Sequence, residues 1–236
     1  MGLRFERKKP RNLLLSLIYR TQKLLPLSTE KKFRLFLDLE WIFDRLAHET
    51  SFKYFNTLNH PLRIQTRKFL LSRIQPDHII LDLGCHHGDI SYYIAEKAGE
   101  VIGVDHNPDA IATANKKYQR KNLTFIQGDA FEYLSGNSKK FDVLILSHIL
   151  EHLDEPEAFL KKFKVFFKNI FIEVPDFDRY YLNHYRKELG VKLSYSDDDH
   201  ISEFDRDDLF SLLQNCGIEV IQSEFRHGVQ RYWCKA

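Results

Sequence analysis

The stretch Leu81-Asp82-Leu83-Gly84-Cys85-His86-His87-Gly88-Asp89 joins an apolar run to a tight glycine turn and a helix start. A second apolar run, Val101-Ile102-Gly103-Val104, ends in Asp105, and a third ends at Gln127-Gly128-Asp129. Asp105 follows Asp82 by 23 residues, and Asp129 follows Asp105 by 24. Each acid thus stands at or near the carboxyl end of a candidate strand, and in an open parallel sheet those ends are where ligands bind. Gly84 and Gly88 permit close approach of a ligand to the backbone. Asp105 can accept from both hydroxyls of a ribose, Asp129 from an exocyclic amine, and Asp82 can counter an ammonium group. The ligand so described has a ribose, an amine-bearing base and a cationic tail. A dinucleotide fits poorly, because its fingerprint is G-x-G-x-x-G with free N–H groups facing a pyrophosphate. Here the two glycines are four apart, and Asp89 puts negative charge at the helix start.

A second group able to do chemistry follows the fourth apolar run: Ser147-His148-Ile149-Leu150-Glu151-His152, with His200 further on beyond Asp197-Asp198-Asp199. On a helix His148 and His152 would share a face with Glu151 beside them. Histidine is suited to general-base work near neutral pH, so His148, His152 and His200 are the catalytic candidates. The same three with Glu151 are a candidate divalent-metal set, and its two or more imidazoles favour Zn²⁺, Mn²⁺ or Fe²⁺ over Mg²⁺. HxxEH is also a zinc-protease signature on a helix. Here it falls at the end of a strand, which argues against that reading.

The elements that must position these residues alternate from His78 onward. Candidate strands are 78–83, 101–105, 123–127, 141–147, 169–174, 218–225 and 229–234; candidate helices are 89–98, 108–119, 155–167 and 205–216. Early βα repeats imply a parallel sheet with helices on both faces. The last two strands are separated only by His227-Gly228, a hairpin, so the final strand runs antiparallel. The expected fold is α/β: a doubly wound, mostly parallel seven-stranded sheet with an antiparallel last strand. A helical extension over residues 1–58, a candidate lid, dimer surface or membrane-surface contact, precedes the domain at 59–236. Within the extension, apolar residues recur at helical spacing over 10–48 with a break at Pro26; beyond it, Pro61 opens a further helix to about Ile74. Pro175–Ser202, rich in tyrosine and charge, is expected to cap an acceptor pocket.

The 236 residues are 43% hydrophobic and 29% charged, enough for an ordinary core. Net charge is +2, but seven basic residues against Glu6 give residues 1–23 a net +6, leaving about −4 elsewhere. A body of that sign gives no strong nucleic-acid signal. The three cysteines, Cys85, Cys216 and Cys234, lack CxxC spacing and fit free thiols in a reducing compartment. No apolar run approaches the ~20 residues that span a bilayer. Leu13–Ile18 is short for a signal-peptide core and no small-residue cleavage site follows. The expectation is a cytoplasmic chain, with the basic N-terminus a candidate for peripheral contact at the inner membrane face.

LDLGCHHG, VIGVDHNPDAI, FIQGDAFEYL and FDVLILSHILEHLDEP resemble the successive motifs of class I, Rossmann-like methyltransferases that use S-adenosylmethionine (SAM). The resemblance covers about 60–236 and includes the terminal hairpin. It implies that Asp82, Gly84 and Gly88 hold the methionine end of SAM, that Asp105 takes the ribose and that His106 lies on the adenine face. Asp129 and Ala130 would contact the adenine edge, and Ser147 would line the site. At the fourth strand the chain is also similar to O-methyltransferases carrying ExxEH, in which the acids and histidine bind a divalent ion; His148 stands here in place of the first glutamate. The implied activity is methyl transfer to oxygen of a small molecule, such as a sugar or glycolipid precursor, by a chain that is a candidate homodimer. RNA or protein methylation is one alternative. A non-catalytic SAM-binding protein is another, prompted by His86, which replaces the usual middle glycine of the turn.

Overall fold

The computed structural model describes residues 12–56, 59–136 and 139–236. The basic cluster from Arg4 to Arg11 lies outside them. The chain divides into two compact units, one ending at Ile42 and the other running from Phe43 to Ala236.

The first helix, α1, is Leu13–Thr21, capped by the Asn12 side chain, which accepts from the Leu15 N–H. Helix α2, Thr29–Tyr54, carries the junction between the units. Helix α3 is Pro61–Leu71, begun by a proline whose missing N–H costs nothing at a helix start. The sheet then builds through β1 Ile79–Leu83, α4 Asp89–Ile94, β2 Glu100–Asp105, α5 Pro108–Lys117, β3 Leu123–Gln127, α6 Ala130–Ser135 and β4 Val143–Ser147. It is completed by α7 Pro156–Phe163, β5 Asn169–Pro175, α8 Tyr181–Leu189, α9 Arg206–Asn215, β6 Glu219–Arg226 and β7 Val229–Lys235.

The seven strands lie in the order β3-β2-β1-β4-β5-β7-β6. β1 to β5 pair in parallel, while β7 runs antiparallel to both β5 and β6, as the short hairpin required. The strand order reverses between β1 and β4, which fixes where a crevice opens at their carboxyl ends. The central strands are apolar on both faces: Leu81, Leu144, Leu146, Ile170 and Ile172 face one core cluster, and Ile80, Val143, Ile145 and Phe171 face another. Helices α6, α7 and α9 cover the first face and α3 and α4 the second.

Two helices were not apparent from the sequence. α6 is only six residues long and starts at its own cap, Asp129. α8 occupies the segment expected to be a cap, and ends at Gly190 in the left-handed region (φ 60°). α4 is shorter than the expected 89–98, because the Asn122 side-chain amide takes the Ala95 and Ala98 carbonyls and closes the helix early. All three cysteines are buried free thiols. Among the described residues no helix is long and apolar enough to cross a membrane.

Candidate active site

A cavity of about 960 Å³ opens at the carboxyl ends of β1, β2 and β4. Its floor is the turn after β1. Gly84 sits at φ +68° and its N–H donates to the Val104 carbonyl at 2.8 Å, tying the turn to β2. A Cβ at Gly84 would run into Ile149 Cδ1. Gly88, at φ +77°, begins α4, and a Cβ there would enter the Phe125 ring. Gly84 therefore faces the cavity, whereas Gly88 packs beneath it and shapes the turn. His86 holds a left-handed backbone without being glycine (φ 47°), as does His148 (φ 56°), and both line the cavity. Such strain persists where surrounding contacts enforce it, and it concentrates at functional sites.

The three acids meet in this cavity. Asp82 is 2% exposed, accepts from the Ser91 hydroxyl, and has its pKa pushed up to about 7 by burial, with Asp105 adding to the rise. Asp105 is held rigidly, Oδ2 accepting from the His86 N–H at 2.8 Å and Oδ1 from the Asn107 N–H at 2.9 Å. Each oxygen can accept again, which is what a vicinal diol needs. Asp129 has a structural duty not foreseen from spacing: its Oδ1 caps α6 by accepting from Phe131 and Glu132 N–H groups. Ala130 and Ser147 also line the cavity, as does His106, whose side chain is 94% exposed. Asp89 at the start of α4 pairs with Lys117 at 2.9 Å.

The second candidate group divides. His148 and His152 line the cavity; Glu151 is fully buried behind them, and His200 stands behind His152 with ring centroids 4.9 Å apart. His148 Nδ1 contacts Glu151 Oε1 at 3.0 Å, and its Nε2 lies 3.6 Å from Glu173 Oε1. Burial alone would lower its pKa, but the two carboxylates outweigh burial and raise it to about 10. His148 is therefore an imidazolium at neutral pH, a hydrogen-bond donor and not a ground-state base. His152 Nδ1 meets the Asp199 carbonyl at 3.2 Å. His200 is anchored by Glu203 at 2.9 Å and by Ser196. Burial opposes its charge, and Glu203 more than restores it. Glu151 Oε2 is buried with no hydrogen-bond partner, and donor atoms of Glu151, His152 and His200 lie within 4.8 Å of one another.

Sequence reasoning missed what sets the charge of this group. Ser147, Glu173, Arg231 and Glu224 lie opposite one another across β4, β5, β7 and β6. Residues directly opposite in a sheet share a face, so the four form a polar row. Arg231, wholly buried, pairs with Glu173 at 2.5 Å and Glu224 at 3.3 Å, while Thr66 of α3 donates to Glu173 at 2.6 Å. Burial works against the Glu173 charge, but His148 and Arg231 hold its pKa well below the usual range. A glutamate inside the apolar run Ile170–Val174 was the visible signal. Arg63, on α3, and Phe52, near the end of α2, also line the cavity, and no local pattern marks either. Of residues 175–202, only Asp199 reaches it. That segment is tied elsewhere: Arg45 pairs with Asp198 at 2.8 Å and Asp197 at 3.3 Å, and Arg179 pairs with Asp44 at 2.6 Å.

Comparison with known proteins gives a consistent context. A family model described as a methyltransferase domain matches residues 54–223. A ribosomal protein L11 methyltransferase of Thermosipho africanus is 34% identical over 113 residues, 46% of this chain and 42% of that one. A ubiquinone biosynthesis O-methyltransferase of Cereibacter sphaeroides is 33% identical over 82 residues, 34% of this chain and 33% of that one. The chain thus spans less than half the length of these curated relatives. The crystal structure of magnesium protoporphyrin IX methyltransferase from Synechocystis, with bound SAH (S-adenosylhomocysteine), superposes with a TM-score of 0.58 at 16% identity. It covers 82% of this chain and 93% of that one, a likeness of fold.

Proposed function

The chain belongs to the methyltransferase-domain family, and from that premise we propose that it carries the methyl group of SAM to an oxygen of a small-molecule acceptor, a sugar or glycolipid precursor. The observation that carries this reading is the convergence of Asp82, Asp105 and Asp129 on one cavity floored by a glycine turn. The residues fit the donor. Asp105 is pinned by two N–H groups with acceptor capacity left for the ribose hydroxyls. Asp82 is a buried carboxyl whose charge lacks a cation until an ammonium arrives. A Cβ at Gly84 would fill the cradle. Asp129 and Ala130 would take the adenine edge and His106 its face, with Ser147 at the wall and Gly88 shaping the turn beneath.

The bound donor supplies a methyl group on a sulfonium, open to in-line displacement. The chain's part is orientation and proton management. Fixing donor and acceptor in line lowers the barrier by roughly 7–11 kcal/mol in favourable cases. His152, facing the cavity with its Nδ1 held by Asp199, takes the acceptor's hydroxyl proton through Nε2. His148, its Nδ1 on Glu151 and its Nε2 toward Glu173, supplies a fixed positive charge at the cavity wall, and His200 packs edge-on against His152. Calorimetry with SAM and with SAH tests the cofactor assignment: Asp105→Ala should abolish binding, and failure of the parent protein to bind either compound would sink it. Labelled-SAM turnover against a panel of hydroxylated small molecules tests the acceptor, and transfer only to RNA or protein would replace it. SAM binding without transfer to any class would leave the non-catalytic reading that His86 prompted.

A metal-assisted version of the same reaction is favoured by one observation, the unpartnered buried Oε2 of Glu151 beside His152 and His200. Glu151, His152 and His200 would hold a divalent ion of the Zn²⁺, Mn²⁺ or Fe²⁺ type, with His148 bound to Glu151 behind it. Bound, such an ion would polarise the acceptor hydroxyl. Activity that survives exhaustive chelation would remove this version.

A further inference from the structure

Helix α1 reads Leu13-Leu14-Leu15-Ser16-Leu17-Ile18-Tyr19-Arg20-Thr21. At 3.6 residues per turn its leucines and isoleucine spread around the axis, leaving Ser16 and Arg20 together on the narrow polar side. A helix apolar on nearly every side is ordinarily covered. This one buries none of its residues: Leu13 is 85% exposed, Leu14 66% and Tyr19 70%. A nine-residue helix is also marginal by itself in water. Among the described residues of its own unit nothing buries α1, and its sequence calls for an apolar medium.

We propose that α1 docks on an anionic membrane surface, lying in the plane of the interface. Length rules out a span, since nine residues make a rod of ~14 Å, against a hydrocarbon core of ~30 Å. The choice of occupant rests on charge. Arg4, Arg7, Lys8, Lys9, Arg11, Arg20 and Lys23 against Glu6 give the first 23 residues a net +6. A second copy on the same face would bring two such segments together, whereas anionic headgroups neutralise them. Arg20 and Lys23 are exposed and flank the apolar residues, the arrangement of a helix that buries its aliphatic side among acyl chains and keeps its cations at the headgroups.

Flotation of the full chain on phosphatidylcholine vesicles, with and without phosphatidylserine, tests this. The expected result is co-flotation with the phosphatidylserine vesicles alone, weakened as salt is raised. Arg20→Gln and Lys23→Gln should lower partitioning by about fivefold for each charge removed. Leu14→Glu with Leu17→Glu should abolish flotation while SAM binding by calorimetry is unchanged. Absence of flotation at low salt would overturn the proposal, as would equal flotation on neutral vesicles. A dimer by sedimentation that Leu14→Glu/Leu17→Glu dissociates, without flotation of the parent, would assign α1 to a second copy and also overturn it.

Discussion

Asp82→Asn should make the ligand-free protein more stable at pH 8 while destroying its affinity for the methyl donor. Asp82 is 2% exposed, and burial raises its pKa from 3.8 to about 7. Between those values the folded state holds a proton that the unfolded state releases. Stability is thus fully present below the unfolded value, falls as pH rises toward 7, and levels off above it. At about 1.4 kcal/mol per pKa unit, the ionised carboxylate costs the fold up to about 4 kcal/mol at pH 8. Asparagine carries no charge to bury and its oxygen can still accept from Ser91. Thermal melts should therefore show the variant above the parent at pH 8 and level with it at pH 4. Under the proposed function the ammonium of the donor offsets that cost in the parent, so binding requires the ionised form. Affinity should rise about tenfold from pH 6 to pH 8, following the ionised fraction. Calorimetry in buffers of different ionisation enthalpy should show a proton released on binding near pH 6. A pH-independent dissociation constant over that interval, or a variant no more stable than the parent at pH 8, would refute the argument that Asp82 is a buried charge awaiting a cation.

Gly88→Ala places a side chain at φ +77° against the Phe125 ring. The left-handed backbone alone costs roughly 1–2 kcal/mol, so the urea midpoint should fall by at least that much, and an unchanged midpoint would contradict the packing described. Arg231→Met strips the buried Glu173 of its closest cation and should cost about 3–5 kcal/mol. Adding Glu173→Gln should recover part of that loss, and a fully additive double variant would disprove the pairing. His152→Ala should lower kcat about 10²–10⁴-fold with the donor's dissociation constant unchanged; normal turnover in that variant would move the base elsewhere.

The parts of this molecule that were legible in the sequence are those in which a local pattern decides a local outcome. Asp82, Asp105 and Asp129 each stand at or near the end of an apolar run, and strands in a wound sheet deliver their carboxyl ends to one edge, so spacing alone foretold that the three acids line one cavity. The His227-Gly228 turn forced β7 antiparallel in the same way. His148 shows the opposite case. Its neighbours in sequence, Glu151 and His152, suggested a base, but its charge is also set by Glu173, brought alongside by the pairing of β4 with β5. Glu173 in turn keeps its charge because β7 inserts next to β5 and sets Arg231 opposite it. The strand order puts β7 between β5 and β6, an arrangement that no spacing within a strand encodes. Helix α6 was hidden for a related reason: six residues are too few to show a period, and its cap, Asp129, accepts through Oδ1 from the Phe131 and Glu132 N–H groups. A residue's position along its own element could be read from the chain. Its protonation state depended on which strand came to lie beside it, so the convergence of the three acids on one cavity was legible and the charge of His148 was not.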